Sequence, residues 1–323
     1  MPPNYTLSTA PMMEWSDRHC RAFWRVMTKH SLMYTEMVTA NAVIHGNRDY
    51  LIGYNDVEHP IALQLGGSDP EQLREATKIA ADYGYDEVNL NCGCPSDRVK
   101  SGFFGACLMA EPETVARGME AIIETAPIKA TVKNRIGIDD QEDYPSLLNF
   151  IDTVSASGVK HFIVHARKAW LNGLSPKENR EIPPLRYDLV HQLKLERPEL
   201  EISINGGINT LDEADHQLSH VDGVMLGRAA YQNPWILASV DRRFFGAETD
   251  PVTTRHEALR AYFPYIESQL AAGAKLHYMT RHLMGLFNAQ PGGKQFRRYV
   301  SENAYKEGAG LAVLEQAMAL VPE

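Results

Sequence analysis

Cys94 stands between Gly93 and Pro95 in the run Asn89-Leu-Asn-Cys-Gly-Cys-Pro-Ser-Asp-Arg98, just past a short apolar strand signal. Glycine admits a tight turn and proline fixes the backbone, so this thiol is carried on a rigid loop and not in a core. Four roles compete for it: acid, nucleophile, metal ligand and structural thiol. A nucleophile requires a depressed pKa. Cys92-x-Cys94 alone is too sparse for zinc, and no ligand pair stands at useful spacing, so no metal is expected. A thiol is mostly protonated near neutral pH and can give its proton to carbon, for which an alcohol is too weak an acid. Cys94 is therefore read as a proton donor. Cys92, nearer the strand, is expected to be packed, and Cys20 and Cys107 to lie in the core. The stretch Ser101–Phe104, with a glycine and two aromatics, suits a lid.

Other candidate groups also follow strand signals. Asn205-Gly206-Gly207 and Gly227-Arg228 close two successive ones. Glycines let backbone N–H groups approach an anion closely, so both turns suit a phosphate. Pro11-Met12-Met13 offers a flat apolar surface for a ring, Gln64 an amide for ring edges, and Lys133 a charge beside a reduced flavin. A Met pair is more often core and a strand-end Gln is often a cap, but together with the phosphate turns these residues suit FMN. No separate nicotinamide fold is visible, and a nicotinamide could reduce the flavin transiently and leave. His165 could bond a substrate carbonyl or a flavin edge. After it comes a stretch of about 18 residues, 168–185, without clear periodicity. Loops that long inside compact domains are usually functional, and its Lys177 and Arg180 could meet an extended anionic partner.

The elements that carry these residues are eight β-branched runs near Tyr5–Ser8, Leu32–Val38, Ile61–Leu65, Glu87–Asn91, Ala130–Lys133, His161–His165, Glu201–Asn205 and Asp222–Leu226. Helix-like segments such as Pro70–Tyr83, Glu113–Thr125, Tyr144–Ser157 and Leu211–Ser219 separate most of them. This alternation predicts an α/β fold, a (β/α)8 TIM barrel with its active site at the strand tips. The dinucleotide fingerprint of a doubly wound sheet is absent. After Asn233-Pro-Trp-Ile236 the strand signals stop. Helical periodicity continues over Arg255–Ala271, Leu276–Asn288, Phe296–Asn303 and Leu311–Val321, giving a barrel domain, 1–246, and a small all-helical domain, 247–323.

Composition narrows the functional classes. The 323 residues are 44% hydrophobic and 23% charged, with four cysteines, which fits a cytoplasmic protein with reduced thiols. No run approaches a membrane span, and no signal peptide is evident. The net charge of −9 argues weakly against nucleic acid, but residues 275–306 hold six basic residues and one acid. Such a local basic face can bind phosphates, although a merely solvated helix face reads the same way.

The runs Asn91-Cys-Gly-Cys-Pro-Ser96, Val132-Lys-Asn-Arg-Ile-Gly137, His165-Ala-Arg-Lys-Ala-Trp170, Lys177-Glu-Asn-Arg-Glu-Ile-Pro-Pro-Leu-Arg186 and Gly223-Val-Met-Leu-Gly-Arg228 together resemble the tRNA-dihydrouridine synthases. The Lys177 run and Tyr34-Thr-Glu-Met-Val38 resemble the bacterial A-type branch. The resemblance covers essentially the whole chain. It implies an FMN barrel with a helical tRNA-binding domain, reducing uridine in the tRNA D-loop, at U20 and U20a, with NADPH as reductant. By position it implies FMN contacts at Pro11, Met12, Met13, Gln64, Lys133, His165, Asn205, Gly206, Gly207, Gly227 and Arg228. It implies tRNA contacts at Asn91, Lys177, Arg180, Lys294 and Arg297. Hydride would pass from flavin N5 to uracil C6 and the Cys94 proton to C5. No membrane and no protein partner are implied. The rival expectations are an FMN barrel reducing a free pyrimidine or other small activated alkene, and a non-catalytic RNA-binding barrel.

Overall fold

The computed structural model describes residues 4–96 and 102–323. Eight parallel strands close in chain order into a barrel: β1 (Leu7–Thr9), β2 (Leu32–Thr39), β3 (Ile61–Gly66), β4 (Glu87–Cys92), β5 (Lys129–Arg135), β6 (His161–His165), β7 (Glu201–Asn205) and β8 (Gly223–Leu226). The (β/α)8 expectation holds. Most strands are almost wholly buried, as expected where helices cover the outer face of a parallel sheet. The intervening helices start where the sequence supplies caps. Asp69 caps the helix Pro70–Asp82, which has proline in its first turn. Thr210 and Glu213 form a reciprocal capping box on Leu211–Leu218.

The barrel interior is apolar on one side and polar on the other. Tyr5, Ala10, Leu32, Tyr34, Ala62, Ile163 and Met225 pack together inside it. On β4 the alternate residues Glu87, Asn89 and Asn91 share one face, and register sets Gln64 beside Asn89, Asn89 beside Thr131 and Asn91 beside Lys133. These side chains form a continuous chain. Asn91 Nδ2 donates to Gln64 Oε1 at 2.8 Å, and Gln64 Nε2 to Asn89 Oδ1 at 2.8 Å. Asn89 Nδ2 donates to Thr131 Oγ1 at 2.8 Å, and Thr131 Oγ1 to Glu87 Oε1 at 2.5 Å. Tyr34 Oη reaches the same carboxylate oxygen from β2 at 2.6 Å.

The chain divides into two compact units, and the division does not fall at 246/247. The barrel unit runs up to Met13 and takes in Leu32–Tyr54 and His59–Gly227. The other unit joins Glu14–Ser31 and Asn55–Glu58 to Arg228–Glu323. Buried ionic groups recruit its N-terminal pieces. Arg21 pairs with Glu58 at 2.7 Å, Arg25 donates to the carbonyls of Thr28, Ser31 and Glu58, and Asp17 pairs with Arg281 and His282. Within this unit Arg255–Ala271 forms one helix, as expected. The expected helix Leu276–Asn288 stops at Thr280 and tightens into a 3-10 turn, Arg281–Leu283. Gly285 explains part of this: a Cβ there would lie 2.3 Å from the Gln232 carbonyl oxygen. No helix among the described residues is long and apolar enough to cross a membrane.

Burial pushes Glu87 up to about 7 from 4.5. The folded state therefore holds this proton more tightly than the unfolded chain. Its stabilising contribution is complete below the unfolded value and is lost as pH rises through the folded one. Glu87→Gln cannot ionise. Urea titrations should show the variant gaining on the wild type between pH 4.5 and 8, by up to about 3 kcal/mol. A stability difference that does not change with pH would refute the buried proton.

Candidate active site

The loop after β4 is pinned at successive backbone groups. Asn91 Oδ1 accepts from the amides of Gly93 and Cys94, both at 3.1 Å. The Cys94 carbonyl accepts from the Ala106 amide at 2.9 Å, and Arg135 Nε donates to the Gly93 carbonyl at 2.9 Å. The thiol itself is half-buried, and its Sγ lies 3.6 Å from Ser96 Oγ. Its main-chain position is thus fixed while the sulfur keeps access to solvent.

Three strands bring further groups to the same end of the barrel. Register aligns Arg135 with His165 and His165 with Asn205. Lys133 Nζ donates to Asn205 Oδ1 at 3.1 Å, and Asn205 Nδ2 donates to the Met225 carbonyl at 2.8 Å. Burial, aided by the charge of Arg135, brings Lys133 down to about 7. Burial, and then the charges of Arg135, Lys133, Arg167 and Arg180, hold His165 well below the ordinary imidazole range. His165 is neutral at pH 7, and its buried Nδ1 has no hydrogen-bond partner.

Gly206 and Gly207 take φ of 114° and 73°, the left-handed region that favours glycine. A Cβ on Gly207 would lie 2.5 Å from Leu185 Cδ1, and one on Gly206 3.1 Å from the His165 ring. Gly227 differs, since a Cβ there would meet nothing closer than 3.8 Å. Arg228 opens the short helix Arg228–Gln232 of the other unit. Pro11 and Met12 are half-buried, with Met12 packed on the interior cluster, whereas Met13 is 60% exposed. Gln64 lies inside the polar chain, bonded to both Asn89 and Asn91.

The long segment after β6 is built and not slack. Glu178–Arg180 forms a 3-10 turn on which Lys177 and Arg180 are exposed and Asn179 is fully buried. The Asn179 side chain accepts from the Trp170 amide at 2.7 Å. It donates to the Trp170 carbonyl at 2.9 Å and the Leu174 carbonyl at 3.2 Å. Lys294 and Arg297 lie on the helix Gly293–Asn303 of the other unit, Lys294 exposed and Arg297 half-buried. Cys92 and Cys20 are buried, as expected. Cys107 is not in the core. It is half-buried in the 3-10 helix Gly105–Ala110, its thiol directed to the Phe104 carbonyl at 3.1 Å. Of the expected lid, Ser101 lies outside the described residues, as do Asp97 and Arg98 of the opening motif. Phe103 is 49% exposed at a left-handed φ of 52°.

The family described as Dihydrouridine synthase (Dus) matches residues 8–321. The chain belongs to the dihydrouridine synthase family. It is thereby an enzyme, an oxidoreductase, and its most similar relatives place it in the bacterial A-type branch. The tRNA-dihydrouridine(20/20a) synthase of Vibrio vulnificus (strain CMCP6) is 57% identical over 318 residues, 98% of this chain and 97% of that protein. The protein of the same name from Salmonella typhimurium (strain LT2) is 58% identical over 325 residues, 99% and 96% of the two chains. That of Escherichia coli (strain K12) is 57% identical over 320 residues, 98% and 91%. A solved 2-naphthoyl-CoA reductase complex shares the fold alone, with a TM-score of 0.56 at 9% identity. The alignment covers 73% of this chain and half of that one.

Two site-building residues of this family member carry no role in the motif reading. Arg135 stood only inside the Val132–Gly137 run. Its Nη1 donates to the carbonyls of Lys168 at 3.1 Å and Asn179 at 3.0 Å, while its Nε holds Gly93. One buried guanidinium thus ties the Cys94 loop to the Lys177–Arg180 segment. The signal available in sequence was the alternation Thr131, Lys133, Arg135, which puts all three on one face of β5. Asn179 sat unnoticed between two charged residues. An ammonium cannot reproduce the fork of Arg135. Arg135→Lys leaves buried carbonyls unpaired at about 1–3 kcal/mol each. It should lower the melting temperature by several degrees and open the loops after β4 and β6 to limited proteolysis, read by mass spectrometry. An unaltered cleavage pattern would remove Arg135 as the joint between them.

Proposed function

We propose that the chain reduces uridine to 5,6-dihydrouridine in the D-loop of tRNA, at U20 and U20a. FMN would be held at the barrel mouth, and NADPH would serve as a transient reductant. The observation that carries this is the pinned, half-buried Cys94 thiol beside the Lys133–Asn205 pair and a neutral His165. The printed names of the relatives supply the substrate and its positions. Reductant and substrate make the cytoplasm the natural setting.

The residues fit FMN on features of this chain. His165 Nδ1 is a buried polar atom in need of a partner. Gly206 and Gly207 carry no side chain where a Cβ would crowd His165 or collide with Leu185. Pro11, Met12, Met13, Gln64, Lys133, His165 and Asn205 would hold the ring, and Gly206, Gly207, Gly227 and Arg228 the phosphate. When bound, FMN supplies the hydride chemistry that no side chain can.

The chain's own residues do the rest. Cys94 holds a proton on Sγ and gives it to C5 of the uracil while hydride arrives at C6; solvent then reprotonates the sulfur. Asn91 keeps that sulfur in place by bonding the amides of residues 93 and 94. Lys133, close to its own titration point, takes up positive charge as negative charge develops beside it. His165, neutral, offers a hydrogen bond without adding charge. Lys177 and Arg180 on the barrel unit, and Lys294 and Arg297 on the helical unit, would bind phosphates. Such contacts fix orientation while the target base leaves its stack, at a cost of a few kcal/mol. The sum is uridine, NADPH and a proton giving dihydrouridine and NADP+.

The test is the visible spectrum of the purified protein. It should be yellow, bleach with NADPH under anaerobic conditions, and recolour with unmodified tRNA but not with free uridine. Recolouring by a free pyrimidine would transfer the assignment to a small-molecule reductase, and a colourless protein that takes up no FMN would end the redox reading. Cys94→Ala should keep the flavin and its bleaching by NADPH but lose turnover by at least about a hundredfold. Wild-type turnover in that variant would exclude Cys94 as the acid. Reversing the charges of Lys294 and Arg297 should weaken tRNA binding and flatten its salt dependence, leaving flavin bleaching intact. Unchanged affinity would refute their assignment.

A further inference from the structure

Trp170 combines exposure with a rigid backbone. The residue is 37% exposed. Its amide donates to Asn179 Oδ1 at 2.7 Å and its carbonyl accepts from Asn179 Nδ2 at 2.9 Å. The neighbouring residues are held as well. Ala169 pairs with the backbone of Gly137 and Asp139 at 3.0 and 2.8 Å, and the Leu171 amide donates to Asp139 Oδ1 at 2.8 Å. Asn179 is in turn anchored by Arg135 at 3.0 Å, the residue that also holds Gly93 beside Cys94. The apolar face of an exposed indole is favoured out of water, and the fixed main chain beneath it leaves little backbone entropy for a partner to overcome.

The surroundings indicate what kind of partner that is. Arg135, Lys133, Arg167 and Arg180 all act on His165, close by in the same loop system, and Lys177 is exposed two residues before Asn179. This local positive field stands out on a chain of net charge −9. A flat aromatic face beside clustered cations is the recognition pattern of unstacked nucleotides, with cations for the phosphates and the ring for a base. An acidic peptide would use the cations but has no comparable use for the indole.

We propose that Trp170 is a stacking platform for a nucleobase of the RNA, one next to the uridine that enters the barrel mouth. Asn179 and Arg135 act as the positioning residues that hold it in register with Cys94. The inference rests on tRNA being the substrate and extends that reading to a contact that grips a neighbour of the reacting base. An expelled base loses its stacking partners on both sides, and so do the bases it leaves behind. An indole against one of these neighbours replaces part of what extrusion removes.

The test is a cycle of protein and RNA variants on the flavin-loaded enzyme. Trp170→Ala should weaken tRNA binding roughly 5- to 150-fold, the span that base–aromatic stacking supports, and Trp170→Phe should recover most of it. Bleaching of the flavin by NADPH should be the same in all three proteins. Transcripts carrying an abasic nucleotide immediately 5′ or 3′ of the target uridine are then compared. On one of these two, wild type and Trp170→Ala should bind equally well. A Trp170→Ala loss that persists undiminished on both abasic RNAs would make the side chain a structural support of its loop and overturn the proposal. Unchanged affinity for intact tRNA would overturn it too. Wild-type enzyme forming no dihydrouridine in unmodified tRNA would bring down the substrate reading and this contact with it. Normal wild-type turnover with an indifferent Trp170→Ala would remove only the contact.

Discussion

One buried carboxylate oxygen orders the polar half of the barrel. Glu87 Oε1 accepts from both Thr131 and Tyr34. Because Thr131 spends its single proton on Glu87, it can only accept from Asn89, and the Asn89 amide is thereby oriented. The same reasoning passes to Gln64 and then to Asn91, each amide donating inward and accepting from the next. At the far end Asn91 has its Oδ1 left over, and that oxygen holds the amides of Gly93 and Cys94. Amide orientation, elsewhere a matter of two nearly equivalent flips, is dictated here from the interior outward. The proton that burial favours on Glu87 does not break the sequence, since Oε2 is the oxygen without a partner and Oε1 continues to accept.

The second constraint is mechanical and runs along β5. Thr131 sits in the amide chain, Lys133 bonds Asn205 of β7, and Arg135 bonds the loops after β4 and β6. Three alternate residues of one strand thus join the interior, the wall two strands along and the mouth. A shift in β5 register would disturb all three sets of bonds together, which is how a barrel can hold loops to tolerances that the loops themselves cannot set.

Much of this was legible in the chain. The eight strand runs were readable because parallel strands buried on both faces leave β-branched stretches bounded by glycine and polar residues, and the observed strands fall within about two residues of them. Cys94 was legible because its neighbours, Gly93 and Pro95, restrict backbone locally. Arg135 and the burial of Glu87 were not, because both depend on partners 33 to 53 residues away, and Asn179 was not, because its carbonyl is held by Arg135, 44 residues back. The helical unit was harder for the same reason. Glu58 and Asp17 join it through ion pairs with Arg21, Arg281 and His282, and no periodicity in the tail announces such partners. The expected helix 276–288 ends at Thr280, and further along Gly285 packs so close to the Gln232 carbonyl that no side chain fits, a contact that periodicity does not show.

The electrostatics of the mouth follow from crowding cations around groups that can shed charge. Arg135 is itself lowered to about 10, mainly by burial, yet stays charged at neutral pH, as do Arg167 and Arg180. His165 and Lys133 are the groups that yield: the first is neutral, and the second is half-titrated near pH 7. Leaving both protonated would stack further positive charge among buried groups already crowded by cations. An anion entering the mouth reverses that balance, because its charge favours the protonated lysine, and by linkage the protonated lysine favours the anion. Lys133 then carries more of its charge when there is an anion to neutralise. A lysine poised in this way imposes less repulsion on its cationic neighbours than a permanently charged residue would, and gains charge on a strand already bonded to its neighbours on both sides.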